Sequence, residues 1–547
     1  MAPNKWLTLI AACLGLGMLM IDTFVVNVAF PAIGRDLDAS LSATEWTVSA
    51  YVLVVGVFPI AMGRFGDIFG RRRVYLAGLT VFILASVLCG MAQNIEQLVA
   101  FRVVQGLGAA TMFPGTLSII TNAFPPEQRG LAIGIWGGVS GLGLIAGPIL
   151  GGLLVQGDSW RWIFFVNLPV GVVALLMAAL FVPESRDESA PRSVDWLGLT
   201  LLSTGLFALM FGITRGNEAG WGSPLILGCW VGSAALLVAF VIVERRVRYP
   251  LVDLTLFRSV TFVMACLSAF LFSAAVFGSQ PYVSLFMQNY WGFSPLEGGL
   301  AFIPATALVA LLMPVSGIMG QRLGSRLRLI VMGGSLAVLV SALYLLRLNT
   351  ESGYVDGLLP AFLIRGLGIG LVMSATSLAV MSAVPLTKAG LASGTQTMAR
   401  NIGTAMGVAL FGAIFLNHVD RDLPARLTDL PPEQSAQITA AAEHFVPAGD
   451  GEARLASEDV IVDGFIAIAV VTVFIAALAT GAAYFIRHGV ADTPRPRPKA
   501  LGREDAGRSV PVEASPLSRH ATYWQPSVAT NAPTQGLGSG SGEGGID

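Results

Sequence analysis

Asp22 interrupts an apolar run, in the stretch LGLGMLMIDTFVVNVAF. An ionised side chain at mid-bilayer costs ~3 kcal/mol or more, so such a residue faces a partner or a wet cavity. Burial disfavours the carboxylate and a nearby cation favours it, and a group balanced between the two can take up a proton and release it. Arg102, in AFRVVQGLGAATMF, offers that cation at similar depth in another apolar run. Asp22 is a candidate proton carrier and Arg102 a candidate modulator; a fixed structural ion pair is the alternative. Arg365 and Arg400 are further cations inside apolar runs, each able to pair with a carbonyl or set the charge of a cavity. Asp67 lies in a tight connection between Gly66 and Gly70, ahead of Arg71-Arg72-Arg73. It reads as a conformational latch. The arginines read equally well as simple anchors on one side of a membrane.

Other chemistries find no footing. There is no GxxxxGK[ST] loop for direct use of ATP. Cys13, Cys89, Cys229 and Cys266 fall in apolar segments at unrelated spacings, and the four histidines are scattered. This is neither a disulfide framework nor a metal site. No Ser/His/Asp or Cys/His set gathers at the segment ends, so an enzyme is not expected, nor a cofactor other than a proton gradient. A formal net charge of −1 suggests no nucleic-acid partner.

The elements that must position these residues are membrane helices. The chain is 54% hydrophobic and 12% charged, with a mean hydropathy of +0.71, whereas soluble domains carry about 25% charged residues. A span needs ~20 mostly apolar residues. Fourteen segments qualify: 7–30, 46–63, 74–92, 97–120, 130–153, 162–182, 196–214, 224–243, 261–288, 297–316, 328–346, 357–382, 391–416 and 460–486. The first is too long for a signal-peptide core and has no clear cleavage site, so it reads as an uncleaved span. Arg71–Arg73, Arg129, Arg186, Arg192, Arg245, Arg246, Arg248, Arg322, Arg326 and Arg328 fall on one side with both termini, which places the termini in the cytoplasm of a multi-pass protein of the cell membrane. Opposite them, residues 417–459 form a long external loop with nine acidic and three basic residues, in which PPEQSAQITAAAEHF suggests one short surface helix. Residues 488–547 are rich in Pro, Gly and Ser and read as a disordered tail.

A shift of 260 residues lays Gly106, Gly108, Pro125, Gly130, Gly134, Gly143 and Gly147 on Gly366, Gly368, Pro385, Gly390, Gly394, Gly403 and Gly407. The chain therefore divides into a six-helix half (1–183), a linker with two inserted helices (184–259), a second six-helix half (260–487) and the tail. Repeated halves with a site at their interface are a transporter architecture. In the repeat Gln321 stands at the place of Asp67, and Phe362 at that of Arg102. The protonation machinery is thus asymmetric and lies in the first half.

Residues 130–152, GLAIGIWGGVSGLGLIAGPILGG, carry glycine at helical spacing on two sides: Gly130, Gly134, Gly137/Gly138 and Gly141 on one, Gly143, Gly147 and Gly151 on the other. Glycine weakens a helix in water but lets helices approach closely in lipid. A buried helix, bent near Pro148, is expected. The string Gly137, Gly141, Gly147-Pro148, Gly151-Gly152 resembles the antiporter motif in the fifth helix of the major facilitator superfamily. Asp22-Thr23-Phe24-Val25-Val26-Asn27 resembles the first-helix motif of its fourteen-span drug/proton antiporter branch. Gly63…Gly66-Asp67…Gly70-Arg71 resembles the superfamily's cytoplasmic loop, and Arg102…Gln105-Gly106…Gly108 its proton-transfer motif. Trp160-Arg161-Trp162-Ile163-Phe164-Phe165…Asn167 is similar to the start of helix six in the same branch.

The resemblance implies an all-α polytopic protein of the major facilitator fold, a monomer that exports small amphipathic molecules against protons by alternating access. It implies proton coupling at Asp22 and Arg102, with Asp67, Arg71, Gly63 and Gly70 as the latch against a helix of the other half. Tyr51, Gln105, Trp136, Gln280, Tyr282, Gln288, Gln396 and Arg400 are candidates for the substrate cavity, each competing with a plain packing role. Gln280-Pro281 is a natural helix break and a candidate gate. With Asp22 as the one secure intramembrane carboxylate, specificity for divalent cations is not expected. An uptake symporter of the same fold and a non-transporting receptor or scaffold remain as rivals.

Overall fold

Local signals set the helices. Asn94 caps one by accepting from the Gln97 N–H at 2.9 Å, Asp195 another by accepting from Gly198 at 2.8 Å, and Ser294 with Glu297 forms a capping box. In the computed structural model, which describes residues 4–39, 41–156, 159–186, 195–247 and 250–487, such ends delimit nineteen α-helices. They are α1 (Lys5–Asp36), α2 (Leu41–Val57), α3 (Pro59–Phe69), α4 (Arg71–Gly90), α5 (Ile95–Ala123), α6 (Pro126–Gln156), α7 (Trp162–Phe165), α8 (Asn167–Phe181), α9 (Trp196–Ala219) and α10 (Pro224–Glu244). Then come α11 (Val260–Val276), α12 (Gln280–Leu285), α13 (Pro295–Ala301), α14 (Ile303–Leu323), α15 (Leu327–Leu345), α16 (Leu359–Ser382), α17 (Ala389–Arg426), α18 (Pro432–Glu443) and α19 (Glu452–Tyr484). No strand occurs among the described residues.

Each of the fourteen apolar segments falls on helix, though fourteen spans are not confirmed among the described residues. Among the described residues twelve helices are long and apolar enough to cross a membrane, and the pair Trp46–Val57 and Pro59–Phe69, bent by 50°, makes a thirteenth. The segment 130–153 lies within α6, which is 31 residues long; part of its side chains, Pro148 and Gly152 among them, fall outside the described residues, and so does the bend expected there. The bend between α2 and α3 falls at Phe58-Pro59, where proline cannot continue the hydrogen-bond ladder. A second break separates α11 from α12 just before Gln280-Pro281, as the sequence suggested, and a π-turn follows at Phe286–Tyr290.

The glycine string of α6 works as two contact faces. Gly130 meets the Gly317 backbone, Gly134 meets Pro314, Gly137 meets Met313 and Gly141 meets Val309, all on α14. Gly143 and Gly147 instead meet Met20 and Phe24 of α1. A Cβ at Gly130 or Gly134 would overlap the opposing backbone, so only glycine allows this approach. The repeat is visible in packing as well: Gly108 of α5 nests against Gly78 of α4, and Gly368 of α16 against Gly334 of α15.

The inserted helices α9 and α10 pack on each other, and α9 also lies against α2 and α17. On α10, Leu225, Leu227, Val231 and Val238 stay exposed, a face suited to lipid. Residues 417–459 hold more helix than the one short piece expected. Helix α17 runs on to Arg426, α19 starts at Glu452, and α18 occupies the predicted surface-helix stretch. Phe415 stacks on Phe445 with ring centroids 3.9 Å apart, and Val419, Leu423, Leu427 and Ile438 join them in a packed apolar cluster. The apolar side chains recur at helical spacing, so burial outweighs the acidic composition. Residues 488–547, read from sequence as a disordered tail, lie outside the described residues.

Candidate functional site

Asp22 is fully buried, and both its oxygens are engaged. Arg102 donates to Oδ2 at 2.8 Å, while Gln105 and Asn167 donate to Oδ1, each at 2.8 Å. Arg102 also donates to Gln105 Oε1 at 2.8 Å and to the Thr47 carbonyl at 3.1 Å, and its guanidinium lies 4.0 Å above the Tyr51 ring. Asn167 donates in addition to Ser86 Oγ at 3.0 Å. Helices α1, α2, α4, α5 and α8 are thereby tied to one carboxylate inside the first half. A buried pair survives only when its remaining donors and acceptors are satisfied, which Gln105, Asn167 and the Thr47 carbonyl accomplish. Adding a proton to Asp22 would turn an acceptor into a donor facing three donors, so protonation must rearrange the network.

Asp67 joins the two halves. Its Oδ1 accepts from the Gly390 N–H at 3.0 Å and its Oδ2 from the Leu391 N–H at 2.9 Å, at the N-terminus of α17. Arg71 holds the same carboxylate through Nε at 2.9 Å and a terminal nitrogen at 2.6 Å. That terminal nitrogen also reaches the Leu386 and Thr387 carbonyls at 2.6 and 3.1 Å. Gly63 lies directly against Gly390, and Gly70 turns the chain at φ 109°. Arg71 thus shares the contact between Asp67 and the start of α17. Arg72 and Arg73 turn away to the end of α8, where Arg72 meets the Ala179 carbonyl and Arg73 meets Glu184.

The repeat-related connection does the same with an amide. Gln321 accepts from the Gly130 N–H at 3.1 Å and donates to the Pro126 carbonyl, at the start of α6. The contact there is uncharged, with Gln321 joining α14 to the start of α6. Gln321→Ala is expected to weaken closure of this end by ~1–3 kcal/mol, the range for buried groups left unpaired. Spin-label distances between α6 and α14 would show a second, longer population.

The cavity candidates do not form one group. Tyr51 and Gln105 belong to the Asp22 network. Gln396 donates to Ser377 Oγ at 3.1 Å, and Tyr282 donates to the Val408 carbonyl at 2.6 Å, so both fasten the second half internally. Gln280 opens α12, and Gln288 lies in the π-turn. Trp136 is buried, donates to Thr116 Oγ1 at 2.9 Å and meets Phe113 edge-on at 5.3 Å. The Arg400 guanidinium lies over the Phe113 ring, 5.4 Å from its centroid. Arg365, deep in the second half, donates to the Val276 carbonyl and to Ser279 Oγ, and borders a cavity of ≈ 20 Å³. Asn167 and Ser86 went unassigned as partners of Asp22; the available signal was a lone amide in the apolar run that follows Trp160-Arg161-Trp162.

At the opposite end, Arg161 and Trp160 both donate to Asp36, Trp160 at 3.0 Å. The Arg161 hydrogen bond, then that of Trp160, holds this exposed carboxyl below its ordinary value. Its contribution is complete above the unfolded value of about 3.9 and is lost as pH falls through the lower folded value. Asp36→Asn is expected to shift stability by no more than ~1 kcal/mol at pH 7, as for exposed pairs. The difference from wild type should shrink in a melting series as pH falls below the ordinary carboxylate range and the Asp36 carboxyl takes up its proton.

Comparison with known proteins follows the same lines. A family profile described as Major Facilitator Superfamily matches residues 12–408. The chain is 35% identical over 526 residues to the tetracenomycin C resistance and export protein of Streptomyces glaucescens, covering 94% of this chain and 96% of that one. It is 34% identical over 435 residues to the multidrug resistance protein Stp of Mycobacterium tuberculosis, covering 79% and 80%. Its fold is similar to that of the proton:xylose symporter XylE, with a TM-score of 0.56 and 14% identity over 87% of this chain and 94% of the other.

Proposed function

The chain belongs to the major facilitator superfamily and is a membrane transporter of small molecules, and from that premise we propose that it is a proton-driven exporter of amphipathic compounds. The observation that carries this reading is the Asp22–Arg102 pair, a buried carboxylate whose proton state must alter contacts among five helices. The relatives named for antibiotic and multidrug resistance support export as the direction. The glycine faces of α6, which resemble the antiporter motif, support exchange over symport. With the Arg71 end in the cytoplasm, the present state is the one closed to the cell interior, held by Asp67 on α17 and Gln321 on α6. A proton arriving from outside neutralises Asp22, releases Arg102 and favours the state in which these contacts part. Substrate enters from the cytoplasm, and loss of the proton to the cytoplasm returns the carrier. Each ligand drives the cycle only through its unequal affinity for the two states.

Cells lacking their own exporters and producing this protein should retain less of a fluorescent amphiphile than control cells. A protonophore should abolish the difference within minutes. Efflux that persists with the gradient collapsed would remove the proton from the account.

A further inference from the structure

Among the described residues Arg400 is a charge without a counter-charge. It lies well inside α17, a helix that packs against α3 and α5 of the first half as well as α11 of the second, and so at the seam between them. Among the described residues it makes no hydrogen bond and no ion pair; its recorded contact is the face of Phe113, across the seam on α5. The other deep arginines are held: Arg102 by Asp22, Arg71 by Asp67, and Arg365 by the Val276 carbonyl and Ser279. Arg400 is nevertheless half-buried and not fully enclosed. A guanidinium in the apolar zone must find water or an anion. The buried carboxylates of the first half are taken: Asp22 by its own three donors, and Asp67 by Arg71 and the start of α17.

The repeat sharpens the point. A shift of 260 residues lays Arg400 on Ser140 and Gln396 on Trp136. The two sides of the seam therefore differ in kind: α17 offers a cation, and α5 with α6 offers the Phe113–Trp136 ring pair. A planar guanidinium with one face on an aromatic ring still presents an edge of N–H donors that fits a carboxylate or a phenolate. The ring pair fits the aromatic body attached to it. A cationic ligand would meet a like charge and no free acid.

Building on the export reading, we propose that Arg400, with Phe113 and Trp136, is the recognition subsite for the acidic group of an anionic aromatic substrate. Three probes with one pyrene body test it: pyrenebutyrate, its methyl ester, and a pyrenyl trimethylammonium of equal length. Binding is measured on the full-length protein in nanodiscs. Wild type is expected to bind the carboxylate about 30-fold tighter than the ester, the low end for a buried charged hydrogen-bonded pair. Arg400→Gln should erase that preference while leaving ester binding within about 3-fold, and Arg400→Lys should restore part of it. Phe113→Leu should weaken all three probes. Thermal unfolding in the nanodisc checks each variant, and the wild-type order of the three probes stands even if a variant fails to fold.

Equal binding of carboxylate and ester by wild type, tighter binding of the ammonium, no binding of any probe, or a preference that survives in folded Arg400→Gln would each overturn the subsite. Gradient-driven transport of the same probes separates this from the wider reading. Transport of ester and ammonium without carboxylate would sink the subsite and spare export. Arg400-dependent carboxylate binding without transport of any probe would keep the subsite and sink export.

Discussion

The variant Asp22→Asn should fold poorly and export nothing, and adding Arg102→Gln should restore folding without restoring export. The single change leaves the Arg102 guanidinium buried opposite an amide, with its charge uncompensated. Breaking a buried pair on one side costs about 3–5 kcal/mol, while replacing both members by neutral groups is close to neutral. In the double variant Gln105, Asn167 and the Thr47 carbonyl can still hydrogen-bond to the new amides. A merely structural pair predicts that the double variant regains export along with stability. A coupling pair predicts at least about a 100-fold loss of gradient-driven export in a well-folded protein, since no group is left to bias the two states by the ~3 kcal/mol that such a factor needs. Thermal stability in detergent and driven uptake into inverted vesicles, measured on one preparation, decide between them.

Asp67→Asn should have the second-largest effect, on the conformational equilibrium. The carboxylate accepts four hydrogen bonds, two from Arg71 and two from the first N–H groups of α17. An asparagine keeps one acceptor oxygen, points an N–H₂ at a donor and removes the charge that the helix N-terminus favours. A loss of about 3 kcal/mol corresponds to a shift of ~100-fold away from the state closed at this end. Ser393 reports on it: its hydroxyl donates to the Pro114 carbonyl across the interface at 2.9 Å and is buried. A Ser393→Cys reporter should react with a small maleimide at least tens of times faster when Asp67→Asn is present. An unchanged rate would show that Gln321 and the glycine contacts alone hold this end shut.

How far these features could be read from sequence depends on how local their physics is. The two faces of α6 follow from glycine spacing within one helix, and the structure puts Gly130 and Gly134 on α14 and Gly143 and Gly147 on α1, as that spacing requires. Asp22 and Arg102 could be paired because charges in lipid have few other options. The donors that complete the pair could not, since Asn167 lies 145 residues from Asp22 and a neutral amide in a helix has many uses. Gln105 was placed with the substrate candidates for the same reason. In residues 417–459 the short helix was legible, but the packing was not read from composition: Phe415, Val419 and Leu423 are spaced four apart and continue α17 into a packed cluster. For Arg400 the sequence left a carbonyl partner and a cavity charge both open; that it meets an aromatic face depends on the meeting of α17 with α5, which no local pattern encodes.

Proton exchange itself is tested most directly with purified wild-type protein in liposomes, the Arg71 end outward and the lumen acidic. A pH dye trapped in the lumen is followed as antibiotics, lipophilic cations, neutral amphiphiles and aromatic carboxylates are added outside. The account predicts that a transported compound makes the lumen alkaline as it accumulates there, with proton and substrate moving in opposite directions. Accumulation that leaves the lumen pH unchanged, or that acidifies it further, would contradict antiport.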